Sequence, residues 1–499
     1  MKVELDKFCY NYMEYEKELQ KLEIISLIPE SYIISESPRK TIIECKFCDI
    51  EKLECLTYYK SFSFENGEGK YTRQGLLEAH GAELAARQNT RYSTHGLHEY
   101  KGKFNPQIVK AIINIFEVNK NKIVFDPFCG SGTTLLECIH AGIQGYGTDI
   151  NPLASYITNT KINSLFIDIP EAKYTLEMLV NSIPVDIPSK DKDDERIEYL
   201  KKWIPFSTLC ILESIKEKLK YADKKNRNLF LSIASDLIRE YSYQEPADLR
   251  IRRRKTPLPE QEFIEAFYEK SKKILKKIEY TQCVLGDIAL HGYAKTSDIR
   301  KDCPFEDIKF DAAITSPPYV SALPYIDTQR ISLVWLGLCA ASDIRQLEST
   351  LIGDRELLKS SQKKWSSIIG SNAGGIPADI HKLVLDMEAS ISKTDGFRKQ
   401  AVPTLVYKYF FEMKSMFKNI KALLKKNAPY GLVVGHNKTK LGNVDYLIDT
   451  PTLLALVAQS CGWKIEEIFP LQTYKRYGIH SKNSIDKESL ILLRNTMEG

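Results

Sequence analysis

Two short segments of this 499-residue chain hold residue types that do chemistry only in particular backbone settings. The first, Asp126-Pro127-Phe128-Cys129-Gly130-Ser131-Gly132-Thr133-Thr134, directly follows the apolar run Ile123-Val124-Phe125. Glycines at 130 and 132 remove Cβ atoms where a backbone passes close to a ligand, and such a turn aims amide N–H groups at it. Asp149 closes the next strand-like run, placed to accept hydrogen bonds from the two hydroxyls of a ribose. The turn lacks the third glycine of the dinucleotide fingerprint and the lysine of a phosphate-binding loop, which favours a nucleoside over a pyrophosphate or triphosphate ligand. The second segment, Thr315-Ser316-Pro317-Pro318-Tyr319, follows the run Phe310-Asp311-Ala312-Ala313-Ile314. Consecutive prolines restrict the backbone to extended conformations and remove N–H groups, leaving a stiff rim of acceptors beside an aromatic ring.

The elements needed to position these turns are readable as an α/β pattern. A helix is expected near 106–116, a strand at 123–125, a helix to about 140 and a strand ending at Asp149, which together make a βαβ unit and imply a parallel sheet. Sheet strands are expected again at Cys283-Val284-Leu285-Gly286-Asp287 and at 310–314. A helix at 404–425, a strand at 431–435, a helix at 451–461 and a strand at 489–493 follow. Both chemical turns then lie at the carboxyl ends of parallel strands, the edge where open α/β sheets bind ligands. The expected fold is a Rossmann-like sheet with helices on both faces, a largely helical insertion and a small α+β N-terminal region. By residue, the N-terminal region is 1–90, the nucleoside-binding half 91–165, the helical insertion 166–280, and the second half 281–499 with a further insertion at about 340–400. Residues 4–24 read as helical and 31–63 as β-rich, with Asn66-Gly67-Glu68-Gly69 as a turn.

The two turns together resemble those of the S-adenosylmethionine-dependent DNA amino-methyltransferases, which modify cytosine N4 or adenine N6. Thr94-His95-Gly96-Leu97-His98-Glu99-Tyr100-Lys101-Gly102-Lys103-Phe104-Asn105-Pro106 is similar to the family's segment ahead of the cofactor loop. The resemblance covers roughly 92–165 and 280–495. It implies that Phe104, Asp126, Phe128, Gly130, Gly132 and Thr133 cradle the methionine end of S-adenosylmethionine, that Asp149 takes the ribose and that Asp287 takes the adenine amine. It also implies that Ser316 and the Pro317 carbonyl accept from the target amine, with Pro318 stiffening the turn and Tyr319 stacking on a base flipped out of double-stranded DNA. The Ser-Pro-Pro-Tyr form ties the resemblance chiefly to cytosine N4. Adenine N6 stands as the alternative, then a guanine-N2 enzyme acting on transfer RNA, then a subunit that only binds nucleic acid. Association with a cognate restriction endonuclease is implied by the family alone. Here the long insertion falls before the expected Asp287 strand, which departs from the family's arrangement. Cysteine-based C5 chemistry is disfavoured, because Cys129 sits within the cofactor loop and no Pro-Cys pair occurs.

Composition is compatible with these expectations. Hydrophobic residues make up 43% and charged residues 27%, the profile of a globular protein rather than a disordered or fibrous one. Net charge is only +5, so a polyanionic partner must be held by local clusters. Arg250, Arg252, Arg253, Arg254 and Lys255 form the densest of these and are expected to contact nucleic-acid backbone, with Tyr241, Tyr243 and Gln244 nearby equally suited to stacking or base-edge contacts and to core packing. Eleven scattered cysteines read as reduced thiols. Cys45, Cys48 and Cys55 have half the spacing of a zinc site, with Cys9 or His80 as possible fourth ligands, but ordinary core cysteines are expected and no metal. No apolar run reaches membrane-spanning length, and the expected compartment is the cytoplasm.

Overall fold

The computed structural model describes residues 1–65, 67–79, 88–182, 195–287, 292–320, 325–354, 359–472 and 487–496. Fourteen strands are described: β1 Lys2–Lys7, β2 Tyr32–Glu36, β3 Lys40–Glu44, β4 Tyr59–Phe64, β5 Lys70–Tyr71, β6 Ile123–Asp126, β7 Gln144–Asp149, β8 Tyr293–Thr296, β9 Ala312–Thr315, β10 Pro429–Gly435, β11 Asn437–Leu441, β12 Val444–Ile448, β13 Trp463–Gln472 and β14 Lys487–Asn495.

Seven of them form the central sheet in the order β13-β14-β10-β9-β6-β7-β8. β10, β9, β6, β7 and β8 run parallel, and β14 is reversed between β10 and β13. The inner strands β6, β9 and β10 are mostly apolar because helices cover both faces. On one side the helix Pro106–Ile115 packs with Val124, Ile314 and Val433; on the other the long helix Val402–Leu423 packs with Phe125, Ala313 and Leu432. This is the Rossmann-like α/β fold expected from the sequence. β6, β7, β8 and β9 end at Asp126, Asp149, Thr296 and Thr315, so the acids and the turns of interest gather at one edge.

Residues 1–71 build a separate five-stranded antiparallel sheet, β2-β3-β1-β4-β5. The helix Glu14–Leu27 links it to the central sheet by burying Tyr15 and Leu19 against the helix Pro106–Ile115. The helical reading of 4–24 fails at its start, since Lys2–Lys7 alternates exposed and buried residues with period two and pairs as a strand. The strand expected at Cys283 fails as well. Cys283-Val284-Leu285 closes the helix Phe263–Leu285, whose Phe267, Ile274 and Ile278 face its core, and Gly286 ends it at φ +63°. The strand in that part of the sheet is β8, an edge strand in which Ala294 alone is buried, so it carries no apolar signature.

Between Ile169 and Leu285 the described elements are helices with a core of their own, which also takes in the helix Tyr325–Leu336 through Ile326, Ile331 and Trp335. The stretch expected as a second insertion contributes Ile369, Ile380, Val384 and Met387 to the core beneath the helix Val402–Leu423.

Candidate active site

At the edge where β6–β9 end, a cleft of about 860 Å³, open mouth included, is lined by both turns and by Tyr100, Gly102, Lys103 and Phe104. Its floor begins with Asp126. The carboxylate accepts from the Phe128 N–H (3.1 Å) and from the Thr315 hydroxyl (2.6 Å), tying the first turn to the start of the second. Asp149 accepts from the Gly130 N–H on one oxygen and the Asn151 N–H on the other, each at 2.9 Å. Burial pushes both carboxyls up to about 6, partly offset by these hydrogen bonds. Each oxygen of Asp149 keeps a second lone pair, the capacity a ribose diol requires.

The turn between them has little room for side chains. Gly132 adopts φ +80°, and a Cβ there would stand 2.6 Å from Cγ2 of Thr158, whose hydroxyl donates to the Gly130 carbonyl at 3.0 Å. Gly147 in β7 lets the turn lie flat on the sheet, since a Cβ would meet that of Cys129 at 2.7 Å. Cys129 is buried inside this packing. Behind the turn Lys161 is wholly buried and donates to the Ser131 carbonyl at 2.9 Å; burial pulls its ammonium down to about 7.

Phe104 and Thr133 line the cleft beside the Asp126 turn, with the Thr133 hydroxyl 3.5 Å from the Phe104 carbonyl. Tyr100 stacks on Tyr325 with centroids 6.2 Å apart. Asn151 donates to Gln329 at 3.2 Å and to the Tyr100 hydroxyl at 3.4 Å. These contacts join the cofactor-like half of the cleft to the helix Tyr325–Leu336. On the wall after β8, Arg300 forms a two-bond fork with Asp298 (2.7 and 2.8 Å) and a third bond to Glu412 (2.8 Å). Burial opposes the charge of Asp298, but the Arg300 fork holds its carboxyl below the usual range.

Asp287 stands apart from this assembly. It follows the end of the helix Phe263–Leu285, exposed, and is absent from the cleft lining. The acid after the real strand is Asp298, which the sequence reading missed because β8 lacks an apolar run.

In the second turn Ser316 and Pro318 line the cleft, while Pro317 is buried behind them. The Tyr409 hydroxyl donates to the Pro318 carbonyl at 2.9 Å, fixing the turn from the long helix. Tyr319 is outside the lining, with its hydroxyl donating to Glu488 of β14 at 2.7 Å. Burial and the neighbouring carboxylate push that phenol far above its ordinary range.

The arginine run divides into different roles. Arg254 donates to the carbonyls of Glu240, Ser242 and Thr256, holding its own loop closed. Arg253 lies over the Trp203 ring at 4.7 Å and beside Tyr243. Arg252 is 63% exposed and pairs with Asp248 at 3.2 Å; Lys255 is exposed and Arg250 half-buried. Of the expected base contacts, Tyr241 instead packs edge-on against Phe263 in the core, and Gln244 is buried with its amide on the Thr328 carbonyl. The loop also reaches this helix through Ile251 N–H to Asp327 and Thr328 hydroxyl to the Leu249 carbonyl.

Sequence reasoning also missed an anchor beneath residues 92–98. Glu137 Oε1 accepts from His95 Nε2 (2.6 Å), the Tyr92 hydroxyl (2.7 Å) and His140 Nδ1 (3.0 Å), all buried. Burial opposes its charge, yet the two histidines hold the carboxyl well below the usual range. Among the described residues these three are the one group of His, Cys or acid side chains within metal-ligand reach. Cys45 and Cys48 pack in the core of the N-terminal sheet with Cys55 at its edge, Cys9 is exposed, and His80 lies outside the described residues.

The family described as DNA methylase, of the N6/N4 type, matches residues 59–160, a span that contains the Asp126 turn, Asp149 and the anchor at Glu137. Residues 59–160 are therefore similar to the N6/N4-type amino-group DNA methylases. The chain is similar to the Type II methyltransferase M.MvaI of Kocuria varians, 25% identical over 345 residues, covering 62% of this chain and 75% of that one. It resembles M.BsoBI of Geobacillus stearothermophilus at 23% identity across 82% of this chain and 86% of the relative. A shorter stretch, 26% of this chain and 24% of the relative, is 35% identical to M.MjaII of Methanocaldococcus jannaschii. S-adenosylmethionine is the methyl donor of this class, and the glycine turn that would be filled by a Cβ, with Asp149 at its side, suits its nucleoside. Among the described residues no helix is long and apolar enough to cross a membrane.

Proposed function

We propose that the protein transfers a methyl group to the N4 amine of a cytosine flipped out of double-stranded DNA. The observation that carries this reading is the meeting of Ser316 and Pro318 with Asp126 and Asp149 in one cleft. In it, Asp149 receives the ribose hydroxyls of the donor, and the turn from Asp126 to Thr133, with Phe104 and Phe128, encloses its methionine end. The donor supplies an electrophilic sulfonium methyl. Ser316, at the cleft wall, would accept from the target amine and turn its lone pair toward that methyl, with Pro317 buried behind it stiffening the turn. Positioning of this kind is worth up to several orders of magnitude in rate without a general base.

Tyr319 supports the turn in this reading, through Glu488, and a flipped base would need another ring. The stacked pair Tyr100 and Tyr325 offers one, since both line the cleft. A cognate restriction endonuclease is part of the proposal only by analogy with the Type II relatives. Nucleoside mass spectrometry on plasmid DNA from an expression host free of other methylases tests the reading. N4-methylcytosine is the expected product. N6-methyladenine alone would overturn the base assignment, and unmodified DNA with methylated transfer RNA would overturn the DNA substrate.

A further inference from the structure

A second, larger cavity of about 1650 Å³, mouth included, opens beside the cleft and shares Tyr100, Lys103 and Phe104 with it. One wall is the segment 90–105; the other is formed by the ends of the insertion helices Lys224–Ile238 and Phe263–Leu285 with the loop that carries Arg254. Five cations line it: Arg91, Lys103, Arg239, Arg254 and Lys270. Its acids are mostly neutralised from within, Asp236 by Lys270 and Glu99 by Lys101, with Glu240 left over.

Apart from the pull of Glu99 and Asp248 on Arg239, the cations Lys103, Arg239 and Arg254 bond backbone carbonyls. Lys103 donates to the carbonyls of Thr90 (2.7 Å) and His95 (3.4 Å), Arg239 to that of Asp248, and Arg254 to carbonyls of its own loop. The Arg239 Nε is buried with no hydrogen-bond partner among the described residues. Burial pulls the Lys103 ammonium well below its ordinary range, and Lys161, Arg91 and Lys277 push it further down against the pull of Glu137 alone. A concave site with an uncompensated positive field concentrates anions.

We propose that this cavity seats backbone phosphates of the DNA strand whose base enters the cleft. The inference rests on the DNA reading given above and adds to it a phosphate site made by residues 90–105 and the insertion, which takes Arg254 from the run 250–255 but not the exposed Arg252 and Lys255. S-adenosylmethionine carries no phosphate, so the cofactor does not account for the cations. Its single carboxylate can reach at most the boundary residue Lys103, because Arg91, Arg239 and Arg254 line only the second cavity. A DNA strand carries one charge per nucleotide and repays several cations in a row.

The test is equilibrium binding of a duplex fragment, cut from a plasmid the wild-type protein methylates, across a range of salt concentrations. Each lost phosphate contact lowers the slope of log affinity against log salt by about 0.9, so Arg91→Gln with Arg239→Gln is expected to flatten it by about 1.8. Arg91→Lys with Arg239→Lys is expected to restore most of the slope. Calorimetric affinity for S-adenosylmethionine is expected to be equal in all three proteins. An unchanged slope in the glutamine variant overturns the phosphate site and leaves the DNA reading standing, as does a slope lost equally in the lysine variant. A parallel loss of cofactor affinity also overturns the site, assigning the cations to the cofactor. A wild type that neither methylates nor binds DNA overturns the DNA reading first.

Discussion

Two loops flank the helix Tyr325–Leu336, and they are held in opposite ways. In the loop 126–134 the backbone does the holding: N–H groups of Phe128, Gly130 and nearby Asn151 fix the carboxylates that face the cleft. In the loop 240–256 a side chain does it, as Arg254 gathers three carbonyls while Arg252 and Lys255 remain in solvent. The first arrangement demands particular residue types at particular positions, because only glycine tolerates the backbone path and only a carboxylate answers the N–H groups. The second uses one residue type for both holding and display, so its members cannot be told apart by type.

The sharpest break of the first loop is Gly132→Ala. A Cβ at φ +80° costs about 1–2 kcal/mol in backbone strain, and the contact with Thr158 adds about 1–3 kcal/mol of overpacking. Thermal unfolding is expected to show the loss, and calorimetry a fall in S-adenosylmethionine affinity of about a hundredfold or more. Wild-type affinity in this variant would mean that the turn is not the cofactor's seat.

A milder test uses pH. Asp126 and Asp149 titrate at about 6, raised by burial, and the ribose reading requires Asp149 ionised. Cofactor affinity should therefore be full above about pH 7 and fall by roughly tenfold between pH 7.5 and 5 for each acid needed in its charged form. The stability of the cofactor-free protein carries the opposite sign. A carboxyl whose folded value exceeds its unfolded value of about 3.9 favours folding at low pH, and that contribution is lost as the pH rises through 6. A cofactor affinity independent of pH across this range would exclude these two acids as the ribose and turn contacts.

The smallest effects separate the arginines. Arg254→Gln should lower unfolding stability by about 2 kcal/mol, because its carbonyl partners lose a charged donor. Arg252→Gln with Lys255→Gln should leave stability within about 0.5 kcal/mol and alter only salt-dependent DNA binding. Equal destabilisation by both changes would erase the contrast between holding and display.

This contrast also accounts for what could be read from the residues. Strands β6, β9, β10 and β14 carry apolar runs and β7 follows from its place after the helix Thr133–His140, so the sheet's centre, both turns and Asp149 were legible. β8 and β13 are edge strands with charged or exposed positions, and β1 alternates charge and apolar groups in a way that also reads as helical. Missing β8 misplaced the acid of that strand at Asp287 when Asp298 stands in the cleft. Glu137 lies 45 residues from Tyr92 and 42 from His95 and meets them only through packing, which no local pattern reports.

The central claim is that one cleft holds both the donor and the amine that receives its methyl group. Methyl transfer from labelled S-adenosylmethionine to plasmid DNA, compared between the wild type and Ser316→Ala with cofactor affinity measured alongside, tests it most directly. The account predicts transfer in the wild type, loss of at least about a hundredfold in the variant, equivalent to about 2.7 kcal/mol, and cofactor affinity unchanged within twofold. Undiminished transfer by Ser316→Ala would contradict it and move the chemistry away from the turn that follows β9.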